Sequence, residues 1–259
     1  MSQPLPFRLD RQIVVAAPRE LVFRYFTDSV RWARWWGTGS TIDATPGGAI
    51  LIRYPNGVEV AGHVVAVDAP DSIAFTYGYK SGTPIPEGAS LVTIRLTDQD
   101  EGTEVRLSHE FADGDACNRH VQGWRYQMAV FGNVTANEAF SEAAGLVDGW
   151  FAAWSDPDAT TREARLDRVA SRAITFRDRF SLVSGLDDLR PHLAAVHRFM
   201  PGLRLSRDGE IRHCQGTVLA DWVARGEDGE ERGRGTNVFL FDPHGRVKSV
   251  TGFWNSPKP

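Results

Sequence analysis

The sequence is poor in the residues that announce chemistry on their own. Only two cysteines occur in 259 residues, Cys117 and Cys214. They fall in different halves without metal-ligand spacing, which argues against a disulfide framework and for free thiols. Lysine is scarce, 3 against 26 arginines, and neither sign of charge dominates. Residues 1–140 carry 12 basic and 16 acidic side chains, and residues 141–259 carry 17 of each. Neither half is a basic footprint, so nucleic acid is not expected as a partner. No apolar run approaches the roughly 20 residues that span a bilayer, so no membrane is expected either. The opening residues MSQPLPFRLDRQ lack a basic segment followed by an apolar one, and a cytoplasmic location is the expectation. Asp113-Gly114 and Asp228-Gly229 read as turns rather than phosphate-binding fingerprints. His192 and His197 are five apart, which turns them to different sides of a helix, unlike a zinc-binding i, i+4 pair. Neither a metal nor a cofactor is expected.

Aromatic rings are what the chain does have: eight tryptophans within a hydrophobic fraction of 42%. Such rings fill a core or line a ligand site. The first half opens with an alternating run over 8–17 that predicts a strand, and Pro18 then starts a helix. A second helical piece ends in Trp35-Trp36-Gly37. Runs over 49–54, 58–67, 72–79, 90–96 and 103–111, separated by turn signals, predict a mostly antiparallel meander. A long helix over 115–140 closes the half, with Trp124, Met128 and Phe131, then Thr135, on its sheet-facing stripe. Gly123 in that helix suggests a close approach to the sheet, since mid-helix glycine is otherwise unfavourable.

The second half has helices first and strands after. Phe140, Ala144, Val147, Phe151 and Trp154 form an apolar helical stripe. Thr160 or Thr161 is expected to cap the next helix. A further helix runs from Ser184-Gly185 to Met200 and stops at Pro201-Gly202. Runs over 203–208, 211–215, 217–225, 233–241 and 247–254 predict strands. The fold class is therefore α+β in two domains, 1–139 and 140–259.

Several motifs carry a resemblance to known families. Ala17-Pro18-Arg19-Glu20-Leu21-Val22-Phe23, the Trp35-Trp36 pair, Gly57, Gly62 and His120-x-x-Gly123-Trp124 make residues 8–139 similar to the activator of Hsp90 ATPase homologue family. That family lies within the START-like (SRPBCC, helix-grip) superfamily, whose fold is an antiparallel sheet wrapped on a long C-terminal helix around a cavity. Trp154-Ser155-Asp156-Pro157-Asp158, Gly185-Leu186-Asp187-Asp188-Leu189, Phe199-Met200-Pro201-Gly202 and Gly252-Phe253-Trp254 make residues 141–256 resemble the SnoaL-like branch of the NTF2-like superfamily. That resemblance implies a cone-shaped α+β barrel, a polyketide cyclase-like or simple binding role, and a homodimer through the C-terminal domain.

For a ligand site in the first domain the candidates are Trp35, Trp36, Arg53, Tyr77, His120, Trp124 and Met128. In the second, strand alternation groups Trp222 with Val218 and Ala220, and Asn237 with Gly235 and Phe239. If these faces look inward, His213, Trp222, Asn237 and Trp254 meet in one cavity, with Trp154 contributed by a helix. His213 would transfer protons there, and Asp178 is the carboxylate expected near the mouth, a base for moving a proton alpha to a carbonyl. Its simpler reading is a surface pair with Arg177 or Arg179. The leading functional expectation is binding of a small apolar molecule in one or both cavities. The alternative is an isomerase, cyclase or dehydratase in the second domain, and the third a chaperone-associated partner.

Overall fold

A computed structural model describes residues 4–255. The chain divides into two compact units, Met1–Ala139 and Phe140–Pro259. Both mix helices with an antiparallel or mixed sheet, so the class is α+β.

In the first unit β1 (Phe7–Val15) leads into α1 (Arg19–Arg24) and α2 (Ser29–Trp36). Pro18 sits at the N-cap of α1, and the Asp28 carboxylate caps α2 by accepting from the Arg31 N–H at 2.9 Å. The meander follows as β2 (Thr41–Ile42), β3 (Ala49–Arg53), β4 (Glu59–Asp68), β5 (Ser72–Tyr79), β6 (Ser90–Gln99) and β7 (Gly102–Phe111). Its order is β1-β7-β6-β5-β4-β3-β2, antiparallel throughout. Alternation sends Val105, Leu107, His109 and Phe111 of β7 inward beside Val92, Ile94 and Leu96 of β6. They meet α3 (Gly114–Ala139) through Trp124, Met128, Phe131 and Thr135, all buried.

At the end of α3 the Glu138 carboxylate accepts from Tyr25 Oη at 2.9 Å, Arg31 Nη2 at 2.7 Å and Arg34 Nη1 at 2.6 Å. An acid is disfavoured at a helix C-terminus. Two guanidiniums offset that and fasten α2 to α3. Burial pushes the Tyr25 phenol up to about 12, so it remains a donor in this cluster. Gly123 departs from expectation. It faces open space with nothing near its missing Cβ, whereas at Gly132 a Cβ would lie in ordinary contact, 3.5 Å from Ile13 Cδ1.

The second unit runs α4 (Ala143–Ser155), α5 (Ala159–Val169), β8 (Ala170–Arg177), β9 (Leu182–Ser184), α6 (Leu186–Phe199), β10 (Arg204–Arg207), β11 (Arg212–Cys214), β12 (Thr217–Arg225), β13 (Glu231–Phe241) and β14 (Val247–Trp254). Asp158, not a threonine, caps α5: its side chain accepts from the Thr161 N–H at 2.8 Å. The sheet order is β10-β12-β13-β14-β8-β9, with β11 also on β12 and β14 parallel to β8. Among the described residues no pairing closes this sheet into a complete barrel. Its inner face carries Val218, Ala220, Phe239 and Val250 and the helices carry Val147, Phe151, Leu166, Leu189 and Leu193, all buried, with the Phe151 and Phe239 rings 6.1 Å apart.

Candidate functional site

The first-unit candidates separate. Trp35, Trp36, Tyr77, Trp124 and Met128 are each at most 3% exposed and belong to one continuous core. Their rings touch directly, Trp35 to Trp36 at 4.2 Å and Trp36 to Trp124 at 5.5 Å between centroids. Arg53 does not join them. It alternates opposite to the buried Ile50 and Ile52, so it points outward and pairs with Glu59 at 2.8 Å. His120 is buried, with Nδ1 2.7 Å from the Ala116 carbonyl and Nε2 3.1 Å from Tyr79 Oη. Burial holds its pKa below the usual histidine value.

A second histidine sits deeper. His109 is fully buried between Trp124, whose indole N–H donates to Nδ1 at 2.9 Å, and Ser90, whose Oγ is 2.8 Å from Nε2. An indole nitrogen can only donate, so His109 carries its proton on Nε2 and donates to Ser90. That hydroxyl in turn donates to the Tyr77 carbonyl at 2.7 Å. Both ring nitrogens of His109 and the Ser90 hydroxyl are thereby satisfied, as a neutral buried ring requires.

Burial, with His120 adding repulsion, holds His109 well below the usual range. An unfolded histidine binds a proton below about pH 6.5, whereas the folded one stays neutral. The stability His109 contributes is therefore full above that pH and lost as pH falls, at up to about 1.4 kcal/mol per unit. The denaturation midpoint is expected to fall between pH 7.5 and 5.5, and to fall less steeply in His109→Gln. Equal slopes in the two proteins would contradict this.

In the second unit, a cavity of about 380 Å³ brings together Trp154, Asp178, Trp222, Asn237 and Trp254. Trp150 and Phe176 add to its apolar wall, and Phe180 and Met200 line it while being 71% and 47% exposed, which marks its mouth. The volume lies within the range of small-molecule sites. Trp222 and Trp254 meet edge to face at 5.0 Å.

His213 is not there. β11 pairs with the start of β12, placing His213 opposite Val218, four residues or about 13 Å along the strand from Trp222. Its ring lies 5.9 Å from that of Phe140, and its Nε2 accepts from the Gly216 N–H at 3.1 Å. Alternation fixed its face but not its place along the sheet. His192, considered above only as a metal ligand, lines the cavity instead, with Nε2 3.3 Å from Ser181 Oγ.

Asp178 follows β8 and is half-buried. Its Oδ1 accepts from the Phe180 N–H at 2.8 Å and its Oδ2 from the Trp254 indole at 3.1 Å. Neither flanking arginine pairs with it. Arg177 Nε donates to Thr251 Oγ1 at 3.2 Å, and the Arg179 guanidinium lies over the Phe180 ring at 5.0 Å. Asn237 is 6% exposed, and its side-chain amide makes no hydrogen bond among the described residues. Gly252 brings these two polar groups together: a Cβ there would lie 3.1 Å from Asn237 Oδ1 and 3.2 Å from Asp178 Cβ. Among the described residues no cluster of three or more His, Cys, Asp or Glu is placed to hold a metal ion.

Comparison with known proteins bears on the first unit most directly. Residues 16–134 match the family described as Activator of Hsp90 ATPase homolog 1-like protein. No curated protein matches the chain. Among solved structures, the activator-type match has a counterpart in the Aha1 dimer from Colwellia psychrerythraea, at 15% identity over 47% of this chain and 90% of that one, TM-score 0.41. A SnoaL-like family protein from Agrobacterium tumefaciens is similar at 20% identity over 43% of this chain and 96% of that one, TM-score 0.42. Protein MLL2253 from Mesorhizobium loti matches at 19% identity over 49% and 94%, TM-score 0.44. Both kinds of protein named from the sequence motifs are thus among the matches.

Proposed function

We propose that the second unit binds a small hydrophobic molecule in the cavity between α4, α6 and the sheet. The observation that carries this reading is an aromatic-walled space of about 380 Å³ with an amide, Asn237, that makes no side-chain hydrogen bond among the described residues, and a carboxylate, Asp178, at one place in its lining. Apolar walls supply affinity, and a few convergent polar groups fix orientation. A bound ligand at a hundred times its Kd would stabilise the fold by about 2.7 kcal/mol. Native mass spectrometry of gently purified protein is expected to show added mass that denaturation releases, or thermal-shift screening with naphthalene and naphthol probes to raise the melting temperature. Neither effect at near-millimolar probe would end this reading.

A second reading follows from the pair across Gly252. The Asn237 amide would donate to a carbonyl oxygen while Asp178 removes the proton from the adjacent carbon and returns it to another carbon, as an isomerase does, or to a hydroxyl that departs as water, as a dehydratase does. Asp178→Asn would then abolish turnover while leaving the fold intact.

The homodimer proposal rests on the outer face of the second sheet. The face opposite Trp222 carries Leu219 and Val223 by alternation, the residues the sequence offers for such an interface, but Val223 is buried within the unit. Leu240 and Phe253, on the same face, are 43% and 57% exposed and are the apolar residues it offers to a second copy. Phe253→Glu with Leu240→Glu is expected to halve the mass in light scattering, and an unchanged mass would remove this interface.

A further inference from the structure

Resting on the cavity reading above, we propose that the ligand is an organic cation, an alkyl- or arylammonium group carried on an apolar body. The inference comes from what surrounds the Asp178 carboxylate. Of the described residues that line the cavity it is the only acid, and it makes no ion pair among the described residues. Its two hydrogen bonds come from neutral N–H groups. The other charged lining residue, Arg232, is already paired with Asp228. A carboxylate bordering an apolar space is costly without a counter-charge, and the neighbouring arginines are turned to other partners.

The walls agree with that reading. Four indoles, Trp150, Trp154, Trp222 and Trp254, line one space together with Phe176. They meet in two pairs, at 5.8 Å for Trp150 and Trp154 and at 5.0 Å for Trp222 and Trp254. Indole faces carry the strongest negative quadrupole among side chains, and a desolvated cage of them is the setting in which alkylammonium ions are bound. The Trp254 N–H donates to Asp178. One indole therefore offers its edge to the carboxylate and keeps its ring for the ligand, which places negative charge beside a negative π surface. A neutral molecule would fill the volume but leave both features unanswered.

The test compares benzyltrimethylammonium with neopentylbenzene, the same shape with carbon in place of nitrogen, by calorimetry on the full chain. The cation is expected to bind at least tenfold more tightly. Asp178→Asn should bring the two within about twofold of each other while neopentylbenzene binds as before. Equal binding of the two probes to the unaltered protein, or preference for the neutral one, would overturn the cation inference and leave the cavity reading standing. Failure of both probes to bind would remove the two together. Trp254→Phe, which keeps a ring and removes the N–H, should retain a preference for the cation. Its loss in that variant, with Asp178→Asn unaffected, would also overturn the inference. The comparison on the unaltered protein decides even if a variant fails to fold.

Discussion

Phe131→Ala is expected to lower the unfolding free energy of the first unit by about 3–5 kcal/mol, the cost of deleting a buried aromatic ring and leaving its cavity. The reason is where the ring stands. It is fully buried on the inner stripe of α3, stacked on Phe26 at 4.8 Å, with Tyr25 at 5.9 Å and Trp35 at 5.1 Å edge to face. Those partners come from α2 and from the segment that joins it to α1, so one side chain packs α2 and the end of α1 onto the long helix. Helices of six and eight residues have little stability of their own. The surrounding rings are themselves pinned, Trp35 by a hydrogen bond to the Tyr25 carbonyl and Tyr25 by Glu138. That leaves the site little freedom to collapse. Tyr126→Ala on the same helix, where the ring is largely exposed, should change stability by no more than about 0.5 kcal/mol. Denaturant titrations followed by tryptophan fluorescence would measure both. A loss under about 1 kcal/mol at Phe131 would mean that the helices repack around the gap.

How much of this was legible in the sequence depends on which physical signal each feature leaves. Strand β5 and the α3 stripe were readable because periodicity records which side of an element is buried. The inward ring set of the cavity, Trp154, Trp222 and Trp254, was readable on the same ground. Periodicity does not record which strand lies beside which, nor at what register. That is why His213 was assigned to the cavity when its strand pairs with the far end of β12. The same blindness hides the parallel contact of β14 with β8, which brings Arg177 and the start of the Asp178 loop alongside Thr251. His109 is hidden in the sequence for another reason. In the run Val105, Leu107, His109, Phe111 it occupies an apolar position by parity, and a histidine there is a signal that a partner must exist. The partner could not be named without knowing that Trp124 lies opposite. The spacing of His192 from His197 bears only on a metal pair, and its place on the cavity side of α6 leaves no mark in that spacing.

Gly235→Ala is expected to disrupt the cavity more than any loss of a lining side chain, although it adds only a methyl group. Gly235 sits in β13 between Trp222 on β12 and Trp254 on β14. A Cβ there would fall 2.1 Å from the Phe253 carbonyl oxygen and 2.7 Å from Trp222 Cζ2. The first of those atoms is backbone, so no rotamer change can relieve the contact: β13 and β14 must part or the ladder must shift. The second is a wall of the site, held on its other side by the edge-to-face contact with Trp254. Overpacking of this kind costs about 1–3 kcal/mol or more. The displacement of both indoles should also abolish binding of an apolar probe such as naphthalene. Gly145→Ala is the matched control, since nothing lies within 4 Å of its missing Cβ in α4. There the substitution should be neutral or stabilising by up to about 1 kcal/mol. Retention of both stability and probe binding in Gly235→Ala would show that the sheet yields at this point. The indole pair would then owe its position to something other than the absent side chain between them.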